Sequence, residues 1–186
     1  MRDSRRVMLL LAAAVVSWGM AAPQQTARPP AAKPTTAPAA RTAAPASSTD
    51  PFVGVWKLSA KKSQFESGGA PRSFTRTYED RGGGTIVMIT DAAGSQGPST
   101  RAYLLYKRDG KAYPEASLGA DAFRMVTVRA TGPRSEDFSY VDEGTSARGS
   151  GPITISPDGM TMTQVLSGTT AKGKAFMNTL VFDRQR

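Results

Sequence analysis

Residues 50–65 read DPFVGVWKLSAKKSQF, and the triplet Gly54-Val55-Trp56 within them follows directly on an Ala/Pro-rich tract. From residue 52 onward, large apolar residues alternate with small or polar ones, which is the period of a β-strand rather than of a helix. One face of this strand therefore carries Phe52, Gly54, Trp56 and Leu58. A large ring beside a residue without a side chain is suited to closing the end of a barrel.

The chain after residue 65 keeps the same period of two. Its runs are rich in Val, Ile, Thr, Phe and Tyr, and Gly- and Asp-containing turn signals separate them. The runs are SFTRTYE, TIVMITD, STRAYLLYK, FRMVTVRA, EDFSYVDE, ITIS, MTMTQVLSG and AFMNTLVFDR. We predict an all-β fold, a single antiparallel up-and-down meander of about 8–10 strands, closed into a barrel because closure removes both exposed edges.

The chain before this domain has two parts. A basic start, an apolar run at 7–18 and small residues at 19–22 predict a secretory signal peptide over 1–21, with the general and twin-arginine export routes both open. Residues 22–50 are predicted to be a disordered linker, because Ala, Pro and Thr bury too little apolar surface to offset ordering entropy. The barrel domain is predicted over 51–186. We predict that the protein is secreted, with the bacterial periplasm as its location.

Charge and composition exclude several function classes. Six of the 24 basic and two of the 15 acidic residues precede residue 51, which leaves the domain a net charge of +5. This excess is spread out, so we predict no nucleic-acid partner. The sequence has no histidine and no cysteine, which removes the common nucleophilic triads, zinc sites and histidine-ligated haem. We predict no metal, no cofactor and no stable membrane span, and we assign no catalytic residues. The sequence favours a protein that is not an enzyme without deciding the question, and it leaves the oligomeric state open.

Several segments, in order, resemble one protein family. Gly54-Val55-Trp56 is similar to the Gly-x-Trp motif of lipocalins and the wider calycin barrels. The segments FVGVWKLSAKKSQF, PRSFTRTYE, LLYKRDGKAYP, ISPDGMTMTQV and GTTAKGKAFMNTLVFDRQ resemble secreted lipocalin-like proteins of environmental bacteria. The resemblance implies a calycin-type barrel, largely uncharacterised in function, in which a basic residue of the last strand packs over Trp56. Arg184 is the candidate for that residue, with Arg186 as the alternative.

Strand parity supplies candidate ligand-binding residues. Arg76 shares a strand face with Phe74 and Tyr78. Arg101 shares one with Tyr103 and Leu105. If these faces point into the barrel, each arginine is an anchor for an anionic ligand head. Methionines are candidates for adaptable pocket lining, because the thioether chain is unbranched and flexible. The predicted set is Phe74, Arg76, Tyr78, Met88, Arg101, Tyr103, Leu105 and Met125, with Gly54, Trp56 and Arg184 as structural residues of the barrel floor.

Two functions fit this sequence. The preferred one is a secreted barrel that binds a small hydrophobic or amphipathic ligand in its interior, since small barrels can hold one such molecule. The alternative is a filled, non-binding barrel that serves as an envelope-associated structural or interaction module. An interior cavity of a few hundred cubic ångströms would favour the first, because ligand pockets have about that volume.

Overall fold

The computed structural model describes residues 50–66, 69–95, 98–119 and 123–186. The predicted signal peptide and residues 22–49 of the predicted linker lie outside these ranges. These described ranges contain eleven strands: β1 Gly54–Leu58, β2 Gln64–Phe65, β3 Ser73–Asp80, β4 Thr85–Ala93, β5 Ser99–Lys107, β6 Asp109–Leu118, β7 Arg124–Gly132, β8 Ser135–Asp142, β9 Arg148–Ile155, β10 Thr161–Thr169 and β11 Ala175–Gln185. Among these residues there is no helix with the length and apolar character needed to cross a membrane.

The strands form a closed antiparallel meander, which confirms the predicted fold. From β3 to β11 each strand pairs with the next one along the chain. Strand β1 pairs with β3 on one side and with β11 on the other, so ten strands make a complete ring. The two-residue strand β2 is additional and pairs with β11 at Asn178 and Thr179. Closure leaves no long unpaired edge in the ring.

The barrel has two distinguishable ends. Short connections at 81–84, 133–134 and 156–160 lie at the end where β1 begins, which we call the floor end. The opposite end, which we call the mouth end, holds the connections at 143–147 and 170–174 and the strand ends at Ala93, Ser99, Leu118 and Arg124. Alternation along each strand sends one set of side chains into the ring and the other to solvent.

Trp56 is fully buried at the floor end, where β1 joins the last strand. Its register partners are Arg76 on β3 and Arg184 on β11. The indole Nε1 donates a 2.8 Å hydrogen bond to the carbonyl oxygen of Phe52, so the ring's single polar group is satisfied. Trp56 therefore lies between β3 and β11, at the point where the first and last strands join to close the ring.

Arg184 covers the indole and ties two backbone segments to the last strand. Its guanidinium carbon lies 4.2 Å from the Trp56 ring centroid, within the range of a cation–π contact. Nε donates to the carbonyl oxygen of Gly159 at 2.6 Å and Nη1 to that of Val53 at 2.7 Å, while Nη2 donates to that of Pro51. The geometry is that of the basic residue which the resemblance implies.

Gly54 is required by this arrangement. Its φ is 136°, a backbone conformation that residues with a side chain rarely adopt. A Cβ at this position would lie 2.7 Å from Arg184 Nη1. The glycine of the opening triplet therefore makes room for the arginine that packs on its tryptophan.

Asp50, which the sequence placed in the linker, belongs to the folded barrel. Its Oδ1 accepts a 2.9 Å hydrogen bond from the backbone N–H of Phe52, and its Oδ2 forms an ion pair with Arg108. The sequence boundary was one residue late because the partner, Arg108, lies far along the chain.

The floor half of the interior is packed with large side chains. The rings of Phe52 and Tyr78 are in contact there, with 6.3 Å between their centroids. The buried core comprises Phe52, Trp56, Tyr78, Ile86, Met88, Leu104, Tyr106, Val126, Val128, Phe138, Ile153, Ile155, Met162, Leu180 and Phe182. Any space for a ligand must therefore lie toward the mouth end.

We expect Trp56→Ala to lower the free energy of unfolding by roughly 3–5 kcal/mol, because it deletes a fully buried ring and leaves a cavity at the seam. Chemical denaturation of the variant and the parent protein measures this difference. A loss below about 1 kcal/mol would show that the ring does not hold the floor together.

Candidate functional site: the interior cavity

A cavity of about 300 Å³ lies inside the mouth half of the barrel. Its apolar lining comes from seven strands and consists of Phe74, Met88, Ala92, Ala102, Val126, Phe138, Tyr140, Leu166 and Leu180. Its polar lining consists of Arg76, Thr90, Thr100, Glu115, Ser117 and Arg124. A mainly apolar wall with a few polar groups is the usual composition of a small-molecule site.

Three of the predicted ligand-binding residues line this cavity: Phe74, Arg76 and Met88. Tyr78 also points into the barrel but is buried below the cavity, in the packed floor half. These four share the inward face of β3 and the adjoining face of β4, where Tyr78 and Met88 are register partners.

The predicted inward orientation of Arg101, Tyr103 and Leu105 is wrong. All three lie on the outer face of β5, with Tyr103 37% and Leu105 57% exposed. Arg101 forms two hydrogen bonds with the Asp91 carboxylate, of 2.5 and 3.0 Å, on that outer surface. Both faces of β5 carry leucine and tyrosine, so parity alone does not decide between them; the inward face carries Leu104 and Tyr106, which are buried.

The predicted inward orientation of Met125 is also wrong. Its register partner on β8 is Val141, which is 49% exposed on the outer face. The inward face of β7 carries Arg124, Val126 and Val128, so a charged residue occupies the inward position nearest the mouth end. The arginine there makes the inner face of this strand look like the outer one in the sequence.

Arg76 is the most deeply buried cation of the site, with only 6% of its surface exposed. Its guanidinium lies 5.3 Å from the ring of Phe74, 5.4 Å from Phe182 and 5.8 Å from Phe138. Nη1 donates a 2.9 Å hydrogen bond to Gln164 Oε1, which is fully buried. In the described part of the chain, Nε has no hydrogen-bond partner and no carboxylate lies within 4.0 Å.

A second charged group closes the interior on the floor side. Arg108 Nε donates a 2.6 Å hydrogen bond to Glu136 Oε2, and Nη1 donates to Asp50. The guanidinium also lies 4.6 Å from the ring centroid of Phe52. Burial raises the pKa of the Glu136 carboxyl, and the charge and hydrogen bond of Arg108 oppose that shift. Asp50, Arg108 and Glu136 form what we call the floor trio.

Two tyrosines adjoin the floor trio. Burial raises the pKa of Tyr78 to about 12 and raises the pKa of Tyr106 well above its ordinary value, in Tyr106 with the help of the Glu136 charge. Neither hydroxyl has a hydrogen-bond partner among residues 50–66, 69–95, 98–119 and 123–186. Both phenols are therefore held neutral in the folded protein.

A third charged group, the mouth trio, consists of Glu115, Arg124 and Asp142 on three adjacent strands. Arg124 Nη1 lies 3.5 Å from Glu115 Oε1, and its Nε lies 3.9 Å from Asp142 Oδ2. Its guanidinium carbon also lies 5.1 Å from the ring centroid of Tyr140. The two carboxylates are nearly buried, whereas 42% of the arginine side chain is exposed.

Sequence reasoning missed most of these interior charges. Glu136 and Asp142 are not among the residues predicted from the sequence, and each is followed directly by a second acidic residue, Asp137 and Glu143. In each pair the first residue is buried and the second points outward. The sequence of β8 did contain a signal for this orientation, because Glu136 and Asp142 share strand parity with the two aromatic residues of that strand, Phe138 and Tyr140. Within the described ranges there is no group of three or more His, Cys, Asp or Glu residues able to hold a metal ion.

No protein-family model matches the chain, and no curated protein matches it. Among solved structures, EF1p2_mFAP2b bound to DFHBI is similar with a TM-score of 0.47 and 13% identity, over 73% of this chain and 94% of that chain. The redesigned β-barrel b11L5F_LGL has a TM-score of 0.44 and 15% identity, over 73% of this chain and 93% of that chain. The redesigned β-barrel mFAP1 bound to DFHBI has a TM-score of 0.43 and 15% identity, over 72% of this chain and 95% of that chain. The assignment as a barrel rests on the strand pairing of this chain itself.

The buried tyrosines should make the protein lose stability in alkali. An unfolded chain ionises its tyrosines near pH 10, whereas folded Tyr78 ionises only near pH 12, so the stabilisation is complete below pH 10 and is lost as the pH rises through about 12. The expected slope is about 1.4 kcal/mol per pH unit for each such tyrosine. Denaturant titrations across this interval measure it.

The phenolate absorbance contributed by Tyr78 should rise only as the pH approaches about 12. The Tyr78→Phe variant should lack this part of the rise. Tyr103→Phe, on the outer face, removes one tyrosine without touching the buried pair and serves as the matched control. Identical titration curves for the two variants would contradict the assignment.

Proposed function

We propose that this barrel binds one small amphipathic molecule in its interior cavity. The observation that carries the proposal is the cavity itself: about 300 Å³ of space beside a buried arginine that has no carboxylate partner among the described residues. A filled, non-binding barrel would pack this volume, since protein interiors are normally close-packed. The floor half is packed in that way, and the mouth half is not.

The volume limits the size of the ligand. Ligand pockets range from about 300 to 1,000 Å³, so this cavity lies at the small end. It would hold about ten waters at ~30 Å³ each. A compact molecule with one short apolar segment fits this space, whereas a long-chain lipid would have to extend beyond it.

The lining supports an amphipathic rather than a purely apolar ligand. Phe74, Met88, Val126 and Leu180 offer contact to an apolar segment. Arg76 offers N–H donors at the base of the cavity, and fixed buried donors orient a ligand and select its chemistry. We further propose that the protein acts outside the cytoplasm, on the strength of the signal-like residues 1–21.

Filling the cavity should abolish binding. We expect Ala102→Phe, which places a ring in the space, to weaken binding of the neutral dye N-phenylnaphthylamine by at least about tenfold, or about 1.4 kcal/mol. Fluorescence titration measures it. Ala116→Phe is the matched control, because Ala116 is exposed on the outer face of the adjacent strand. Circular-dichroism melts of both variants check folding, and equal dye affinities would contradict interior binding.

A natural ligand should accompany the protein through purification. We expect native mass spectrometry of protein from its own host, followed by denaturing extraction, to reveal one small molecule bound in a one-to-one ratio. Ala102→Phe purified in parallel should lack it. Repeated recovery of empty parent protein, together with dye binding that Ala102→Phe leaves unchanged, would favour the structural module.

A further inference from the structure

We propose that Glu115 forms a subsite for a cationic nitrogen of the ligand, so that the molecule bound in the cavity carries a protonated amine at its mouth end. This inference rests on the proposed function, since it concerns the same cavity, and it adds the chemical class of the ligand. It follows from an unmet hydrogen-bonding requirement and from an imbalance of charge.

Glu115 is a buried carboxylate without a good partner. It lines the cavity and only 6% of its surface is exposed. In the described part of the chain its Oε1 accepts no hydrogen bond. Its contact with Arg124 Nη1, at 3.5 Å, is longer than an ordinary charge-assisted hydrogen bond of about 2.7–2.9 Å. A buried charge in this condition is costly unless something else donates to it.

The mouth trio also has one negative charge too many. Arg124 serves both Glu115 and Asp142, reaching the second only at 3.9 Å, and Arg124 Nε has no hydrogen-bond partner among the described residues. One guanidinium therefore stands against two nearly buried carboxylates. A second cation would complete the balance.

Arg76, the other cation of the cavity lining, does not supply this charge. Among the described residues no carboxylate lies within 4.0 Å of its guanidinium, and its Nη1 donates a hydrogen bond to Gln164. Arg76 can therefore donate to a polar group of the ligand at the base of the cavity, whereas the two carboxylates of the mouth trio share Arg124 alone.

A protonated amine fits the space beside Glu115. It brings one positive charge and up to three N–H donors. The hydroxyl oxygens of Thr100 and Ser117, which line the same cavity, can accept donors that the carboxylate does not use. Arg124 is the more exposed member of the trio and holds neither carboxylate by a hydrogen bond, so it can turn toward solvent as the amine enters.

The test compares three probes with one apolar chain: octylamine, octanol and octanoate, each titrated below its micelle-forming concentration by displacement of N-phenylnaphthylamine. We expect octylamine to bind at least about tenfold more tightly than octanol, and octanoate to bind most weakly. Glu115→Gln should lower the octylamine affinity about tenfold and change the octanol affinity less than about twofold, since a charge-assisted hydrogen bond is what it removes.

Two further variants make the result specific. Glu143→Gln removes one carboxylate from an exposed position beside the mouth trio and should leave all three affinities unchanged. Arg124→Gln removes the competing cation and should strengthen octylamine binding severalfold. This gain would not follow from a purely structural role of the trio, and it decides the question even if Glu115→Gln fails to fold.

Equal affinities for octylamine and octanol, tightest binding of octanoate, or identical behaviour of Glu115→Gln and Glu143→Gln would overturn the amine subsite. If the dye still binds and Ala102→Phe still blocks it, interior binding survives that outcome. If neither the dye nor any probe binds the parent protein, the proposed function itself fails, and this inference with it.

Discussion

The contact of Arg184 with Trp56 is the constraint on which the barrel depends. A meander becomes a barrel only where its first and last strands join, and this pair lies at that junction. The arginine adds hydrogen bonds to three carbonyl oxygens in two separate segments, which fixes the start of β1 and the β9–β10 turn against the last strand. A planar guanidinium with five donors can do this, whereas a lysine ammonium cannot cover the ring and span the same acceptors.

Closure at the floor determines what the rest of the interior can be. The large rings of Phe52, Trp56, Tyr78 and Phe182 fill that end, so the remaining space lies toward the mouth. Among the described residues, three arginines and four carboxylates lie in or around the barrel interior, divided between Arg76, the floor trio and the mouth trio. Ion pairs of this kind add little net stability when buried, because desolvation offsets their attraction. They place a fixed pattern of charge around the interior of the barrel.

The fold could be predicted from the sequence because its signals are local. The period of two, the turn residues and the glycine of Gly54-Val55-Trp56 are readable within a few residues, and Arg184 was a candidate because the family resemblance implies a basic residue on the last strand. The interior charges depend on partners that are remote in sequence: Arg108 meets Glu136 across 28 positions and Asp50 across 58. Whether a glutamate on a strand faces inward is decided by such a partner and not by its neighbours. The inward face of β5 was predicted wrongly for a different reason, because leucine and tyrosine occupy both faces of that strand.

The position of Asp50 has a practical consequence for how the barrel can be attached to anything. Asp50 is bonded to Arg108 and to the backbone of Phe52, so the domain is joined to whatever precedes it at the floor. The cavity lies at the other end. A tag or partner attached directly before Asp50 would therefore meet the barrel at its floor end, opposite the end at which the cavity lies.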